Sequence, residues 1–394
     1  MRCLFVHDFR SYRLNDDVYT TNLSYEILKK RYVDIFGELY ILNRSGVLNA
    51  NQNPAGMVKA SGDGVHFVDE IDIFSPTSFA SNYGQIKAKV IDNVSRAEYV
   101  IIRLDSFLGL IAAEYCRKNK KKYLIEVVGC VWDSFWNKGI YGKMIAFPLL
   151  KRMQKEILCA PYVVYVTKEF LQGRYPTNGQ NTNISNVQLN NLKESSLDYR
   201  LEKIERISEE KNNIYDIVTV ASVEVRYKGQ EDVIRAIAEL KKKGKKNYRY
   251  HLIGGGNPSY LMNLSSSLGV EEEIIFHGSM NHEKVMSFLD NCDIYIQPSK
   301  QEGLPRSLIE GMSKGLLCYG TKIAGIPELL EKEFLFGTSK KNYIEITHLL
   351  DSVTKELCVN QAIRNFNESK KYEANLLEKR RYAFFTDFRN NSCQ

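Results

Sequence analysis

Short apolar, β-branched runs recur along the chain, and longer amphipathic segments lie between several of them. In the first half the runs are CLFVHDF (3–9), ELYILNR (38–44), VHFVD (65–69), YVIIRL (99–104), YLIEVVG (123–129) and YVVYVT (162–167). The segment SYEILKKRYVDIF (24–36) carries the mixed pattern of a helix with one buried face. Apolar strands alternating with such helices predict a parallel sheet covered by helices. The rhythm restarts in the second half, with strands at 216–222, 248–255, 273–279, 292–298 and 315–321. Helices at 229–244 and 281–291 separate them, and a final helix with an aromatic face is expected at 375–388.

Between the halves, residues 173–196 are rich in Asn, Ser and Gly and read as a connection between domains. A long surface loop inside one domain is the alternative. The expected organisation is an N-terminal Rossmann-like domain over 1–175, a linker over 176–212 and a C-terminal Rossmann-like domain over 213–370. The helix within 371–394 is expected to pack back onto the first domain. The predicted fold class is α/β, two doubly wound domains facing each other. Ligands in such sheets bind beyond the carboxyl ends of the strands, at helix N-termini, so a cleft between the domains is the expected site.

Composition narrows the function classes. A chain of 394 residues exceeds one ordinary core, and 44% hydrophobic residues can fill two. The formal net charge of +7 is well short of a dedicated nucleic-acid binder, and no nucleic-acid partner is expected. It suits anionic ligands or an anionic membrane face. The 8 cysteines form no CxxC pair, which argues against zinc and thioredoxin-type chemistry, and their scatter reads as reduced and cytosolic. The start MRCLFVHDFR lacks the apolar length of a signal peptide. No window approaches the roughly 20 apolar residues of a membrane span. The expectation is a cytoplasmic protein, with room for peripheral contact on the inner face of a membrane.

The chemistry gathers after the second-half strands. ASVEVRYKG places Arg226 and Lys228 after the first, IGGG places Gly254, Gly255 and Gly256 after the second, and FHGSM places Gly278 after the third. PSKQEG follows the fourth and GTKIAGIPE the fifth, so all five loops should emerge on one sheet edge. Lys228 and Arg226 can neutralise a diphosphate, and the glycines let backbone N–H groups approach a nucleotide. Pro305 suits the first turn of a helix, leaving free N–H groups near Arg306 and Ser307 as an anion site. Side chains on a helix lean toward its N-terminus, which aims the Glu310 carboxylate at the ligand end. A carboxylate can accept both hydroxyls of a vicinal diol such as ribose, and Glu302 could do the same for another sugar. Taken singly, each has a plain alternative: Arg306 and Glu310 four apart as a helix ion pair, Arg226 and Lys228 as solvated charges, and the glycines as an ordinary turn.

Together these residues resemble the family 4 glycosyltransferases of GT-B fold. EGLPRSLIEGM resembles their signature of two glutamates separated by seven residues, RYKGQEDVIRAI their Lys-Gly segment, and HLIGGG, FHGSM and GIPELL their other landmarks. The resemblance implies a nucleotide-diphosphate-sugar donor, a UDP-sugar by family frequency, held by the C-terminal domain, and an acceptor held by the N-terminal domain. It implies that Glu310 binds the ribose diol and Glu302 contacts the transferred sugar. Lys228, with Arg226, would stabilise the diphosphate leaving group. It further implies retention of anomeric configuration. The nucleotide sugar is a substrate and no cofactor is called for. No Asp-x-Asp pair is present to clamp a metal, so charge stabilisation is expected from cations and backbone dipoles.

The sequence departs from the family pattern at three places. Val223 stands where an arginine is usual, Pro305 replaces a phosphate-loop glycine, and residues 7–22, with Tyr19, Thr20, Thr21 and Asn22, replace a glycine pair after the first strand.

The acceptor side is read from residues 125–157, which hold both tryptophans, Trp132 and Trp136. Aromatic faces there could stack on sugar while lysines meet lipid phosphate; a helix packed on the sheet is the alternative. Glu126 and Asp133 are candidates to orient an acceptor hydroxyl, Asp133 equally a helix cap. His7 is a further site candidate or a core histidine. RKNKKK (117–122) is either a solvated face or a membrane contact. The expected acceptor is a glycan or lipid-linked glycan of a surface polysaccharide. Two rivals are a Rossmann oxidoreductase or epimerase, which would need glycines absent from 7–24, and a catalytically inactive nucleotide-sugar-binding partner of a polysaccharide assembly system.

Overall fold

One mixed sheet and one all-parallel sheet carry the chain in this computed structural model, which describes residues 2–21, 23–47, 57–71, 76–136, 139–187, 189–190, 192–206, 214–244 and 247–391. Asn22 and, within the segment read as a linker, residues 188, 191 and 207–212 lie outside the described residues. The chain divides into two compact units, Met1–Ser185 with Leu377–Gln394, and Asn186–Leu376.

The first unit contains β1 (Arg2–Leu14), β2 (Asp17–Thr20), β3 (Glu38–Val47), β4 (Val58–Lys59), β5 (Val65–Ile71), β6 (Tyr99–Leu104), β7 (Tyr123–Val127), β8 (Tyr162–Tyr165) and β9 (Gln180–Asn183). Seven of these lie parallel in the order β5-β3-β1-β6-β7-β8-β9. Every residue of β6, β7 and β8 is buried, which is why they read as continuous apolar runs. The first strand departs from the expected turn. Its register against β3 shifts between Val6 and Arg10, and it runs on to Leu14. Asn15 then takes φ 54°, a left-handed turn that Asn tolerates, and β2 returns antiparallel with β4 beyond it. A hairpin thus stands where the family has its glycine pair.

Residues 24–36 are helical as expected, with a π turn over Lys29–Val33. The side chain of Ser24 caps the start and Gly37, at φ 83°, ends the run. The inner face buries Leu28, Tyr32, Ile35 and Phe36. The Ala374–Asn391 helix lays Phe388 edge-on to Tyr99 and Tyr162, and Asp387 accepts the Tyr162 hydroxyl at 2.9 Å.

The second unit holds β10 (Ile214–Val220), β11 (Asn247–Ile253), β12 (Ile274–Gly278), β13 (Ile294–Gln297), β14 (Leu317–Thr321) and β15 (Leu335–Phe336). Their order is β12-β11-β10-β13-β14-β15, and every pairing is parallel. All carboxyl ends therefore open on one edge. The Gln230–Lys242 helix buries Val233, Ile234, Ile237 and Leu240, each contributing about 1.5–3 kcal/mol by leaving water. Arg200, on the Glu194–Glu205 helix, is buried and donates to the carbonyls of Lys314, Cys292, Leu289 and Asp290 at 2.9, 2.5, 3.1 and 3.2 Å. One guanidinium thereby satisfies carbonyls that the ends of two helices leave open.

Candidate active site

Lys228 is positioned by a glycine. After β10 the chain crosses to a single 3₁₀ turn, Arg226–Lys228, and Gly229 follows at φ 73°. A Cβ on Gly229 would lie 2.0 Å from the carbonyl oxygen of Pro298, so only glycine lets the loops after β10 and β13 meet. The Lys300 N–H then donates to the Tyr227 carbonyl at 2.7 Å, and the Lys300 ammonium pairs with Glu231 and Asp232 at 3.2 Å each. This clamp brings Lys228 Nζ to 2.7 Å from Glu302 Oε1.

Glu302 is held from below. Gln297, the last residue of β13, is buried and donates from Nε2 to Glu302 Oε1 at 3.0 Å and to Ser299 Oγ at 2.8 Å. Its Oε1 accepts the Tyr295 hydroxyl at 2.9 Å and the Ser307 hydroxyl at 3.4 Å. Burial raises the Tyr295 phenol well above its ordinary pKa, and the nearby charges of Glu310 and Glu302 add to the rise. Both carboxylates thus flank one tyrosine. The sequence reading missed Gln297. The available signal was an amide at the buried end of an apolar strand, which must find partners.

Glu310 lies on the Arg306–Ser313 helix and is only 9% exposed. Its Oε1 is 3.2 Å from His282 Nε2, so its partner is His282 rather than Arg306, which is exposed. His282 opens the His282–Asn291 helix, whose N-terminus Asn281 caps through Lys284 N–H at 2.9 Å. The hydrogen bond to Glu310, with its charge, raises the His282 pKa above 6.5. A raised histidine contributes stability below its unfolded value, near 6.5, and loses it as pH rises through the folded value. Replacing Glu310 with Gln should therefore move the His282 ring titration, followed by proton NMR, to lower pH. Identical titrations in both proteins would show that the contact is absent in solution.

The glycines after β11 serve a close approach. A Cβ on Gly254 would fall 2.0 Å from the Ala221 carbonyl oxygen, and one on Gly256 would fall 2.6 Å from Glu224 Cβ. The Gly255 carbonyl accepts the Val223 N–H at 3.1 Å and the Ser222 hydroxyl at 3.0 Å, and the Gly278 carbonyl accepts the Gly254 N–H at 2.9 Å. The first three loops are thereby tied together on the edge where Lys228 lies. The structure does not bring Arg226 there. Its side chain is 66% exposed, stacks 4.0 Å above the Tyr260 ring and donates to the Tyr260 hydroxyl at 2.6 Å and to Glu231 at 3.4 Å. Ser307 turns its hydroxyl to Gln297.

The candidates in the first unit fall into two groups. Glu126 is buried, where Tyr32 donates to it at 3.0 Å and Arg103 pairs with it at 2.7 Å. Burial pushes its carboxyl up, but the charges of Arg103 and Arg381 outweigh this and hold it below its ordinary value. His7 sits beside this network. Burial, then the charge of Arg103, brings its pKa down to about 3, and its Nδ1 is buried with no hydrogen-bond partner among the described residues. Trp132 and Trp136, on the Val131–Trp136 helix, stack at 4.4 Å between centroids. Asp133, between them, pairs with Arg174 at 3.3 Å. No group of three His, Cys, Asp or Glu side chains among the described residues could hold a metal ion.

The profile of the family described as Glycosyl transferases group 1 matches residues 202–370, which contain Lys228, Glu302 and Glu310. Protein CapJ of Staphylococcus aureus is 31% identical over 354 residues, covering 89% of this chain and 86% of that protein. Among solved structures, WaaG, a glycosyltransferase involved in lipopolysaccharide biosynthesis, aligns over 99% of this chain and 100% of its own, with TM-score 0.65 at 13% identity. HepE of Anabaena in complex with UDP-glucose aligns over 98% of this chain and 100% of its own, with TM-score 0.62 at 14% identity. The family profile lies over the clamped lysine and both glutamates, and the likeness to CapJ runs through both units; the chain belongs to the group 1 glycosyltransferases and has the GT-B fold.

Proposed function

We propose that the second unit holds a UDP-sugar and the first unit an acceptor, a lipid-linked or growing glycan of a surface polysaccharide, and that transfer retains anomeric configuration. The observation that carries the donor half is the Lys228–Glu302 pair, fixed on Gln297 beside Glu310, at the open edge of a parallel sheet. Lys228 lies where an ammonium can leave Glu302 for the departing diphosphate. Both contacts of Glu302 use Oε1, so among the described residues Oε2 remains to accept a sugar hydroxyl. Glu310 offers its carboxylate to the ribose diol, in exchange for or alongside His282. Support for UDP comes from HepE, which shares the fold and binds UDP-glucose. Support for the polysaccharide comes from WaaG, which shares the fold and acts in lipopolysaccharide biosynthesis.

The test is a thermal-shift screen against UDP-glucose, UDP-N-acetylglucosamine and GDP-mannose, since a ligand of the native state raises apparent stability. A UDP-sugar should raise the midpoint, and UDP-sugar affinity should weaken by about 1–3 kcal/mol in Glu310→Ala, the scale of lost hydrogen bonds to a charged group. Unchanged affinity in that variant would remove Glu310 from the donor site, and no shift with any nucleotide sugar would remove the reading itself.

A further inference from the structure

The first unit presents an uncovered apolar and basic stripe. The Gly139–Leu158 helix buries Ala146, Met153 and Ile157 on one side. Its opposite side carries Ile140, Met144, Phe147, Lys151, Lys155 and Leu158, spaced by three or four residues and so aligned along one face. Ile140 is 72% exposed, Met144 70% and Phe147 55%, and Ile145 and Trp136 beside them are also exposed. Large apolar side chains rarely gather on a surface with nothing to cover them. From Asp133 to Glu156 the sequence contains no acidic residue between those two positions. Glu156 itself is buried against Arg117 at 2.8 Å, and Asp133 is paired with Arg174. Among the described residues, the outward charge along the stripe is therefore Lys143, Lys151 and Lys155. Lys143 Nζ lies 4.8 Å from the Trp136 ring and Lys151 Nζ 5.6 Å from the Phe147 ring, so the cations are set among the apolar groups rather than apart from them.

We propose that this stripe seats the protein on an anionic lipid bilayer, with Ile140, Met144 and Phe147 entering the acyl boundary and the lysines meeting lipid phosphates. An apolar face interleaved with cations is the composition that lies in a bilayer interface, and Trp136 at its end is the residue type favoured at that depth. A second copy of the chain on the same face would cover these lysines without offering a free acidic partner from the same stripe. The surface also differs from the one suggested by residues 117–122. There, Arg117 pairs with Glu156, Lys118 with Glu114 at 2.6 Å, and Lys121 donates to the carbonyls of Ser95 and Ala97 at 3.0 and 2.6 Å. Those three cations are engaged with groups of the first unit itself. The stripe begins just after the helix that follows β7, on the edge where the first unit's strands end, so docking would bring that edge to the headgroups. The use made of the contact rests on the acceptor being lipid-linked; vesicle binding does not, and its failure would leave donor binding intact.

The experiment is sedimentation of the full chain with vesicles of equal phosphatidylglycerol and phosphatidylcholine, and with phosphatidylcholine alone. The expected result is binding to the anionic vesicles, at least tenfold weaker on the neutral ones, declining with salt, with a blue shift of tryptophan emission. Met144→Glu with Phe147→Glu should weaken binding at least tenfold at an unchanged melting temperature and unchanged UDP-sugar affinity. Three results would overturn the proposal: no sedimentation of the unaltered chain at low salt, equal binding by the double variant, or a dimer in solution that the double variant dissolves without any vesicle binding.

Discussion

Lys228→Ala is expected to lower the rate of sugar transfer about 10²–10³-fold, about 2.7–4 kcal/mol of transition-state stabilisation, the range seen when one preorganised charge donor is removed. Donor affinity should change by much less. The asymmetry follows from the resting site. Lys228 is held at 2.7 Å by Glu302, so in the proposed donor site a bound diphosphate competes with a carboxylate for the same ammonium. Part of the attraction gained on binding is offset by the pair that is lost. When the glycosidic bond breaks, new charge develops on the departing phosphate and the balance shifts toward it, so the interaction grows mainly in the transition state. Glu302 keeps its second tether, Gln297 at 3.0 Å, so the variant should retain its loop geometry and melting temperature. The measurement is single-turnover transfer beside calorimetric donor affinity. Equal losses in both would assign Lys228 to ground-state binding alone.

The central strands were legible because β6, β7, β8, β13 and β14 are buried at every residue and leave apolar runs. All eleven runs read from the sequence fall on strands, while β2, β4, β9 and β15, short and at the sheet margins, left no run to find. The continuation of β1 was hidden for a different reason: Arg10, Ser11, Tyr12 and Arg13 are polar, and a pairing with β3 and the returning hairpin holds them in extended form. At the site, spacing alone brought Lys228, Glu302 and Glu310 to one edge, since parallel strands open their loops together. Sequence spacing could not assign partners. Glu310 and Arg306 are four apart on a helix, yet the carboxylate meets His282 from another loop. Arg226 is two residues from Lys228, yet a single 3₁₀ turn sends it to Tyr260. Glu126, within residues 125–157, was a candidate to orient an acceptor hydroxyl, but its side chain points into a buried arginine network that no linear pattern announces.

Gly229→Ala should be among the most damaging single changes to the second unit, although it adds one methyl group to a half-buried loop. Two costs combine. At φ 73° an alanine occupies the left-handed region, at roughly 1–2 kcal/mol. The added carbon would also lie 2.0 Å from the Pro298 carbonyl oxygen, a main-chain atom, and alanine has no rotamer to change, so nothing relieves the overlap but backbone movement. The loops after β10 and β13 must separate, which strains the Lys300 N–H to Tyr227 bond and draws Lys228 from Glu302. The expected loss is about 3 kcal/mol or more, a fall in melting temperature of about 6–12 °C for a unit of this size. Gly269→Ala provides the comparison. Gly269 ends a helix of the same unit at φ 69°, but a Cβ there would meet nothing within 4 Å. It should cost the left-handed term alone. If the two variants melt together, the contact between the loops contributes nothing, and the clamp that sets Lys228 against Glu302 loses its physical basis.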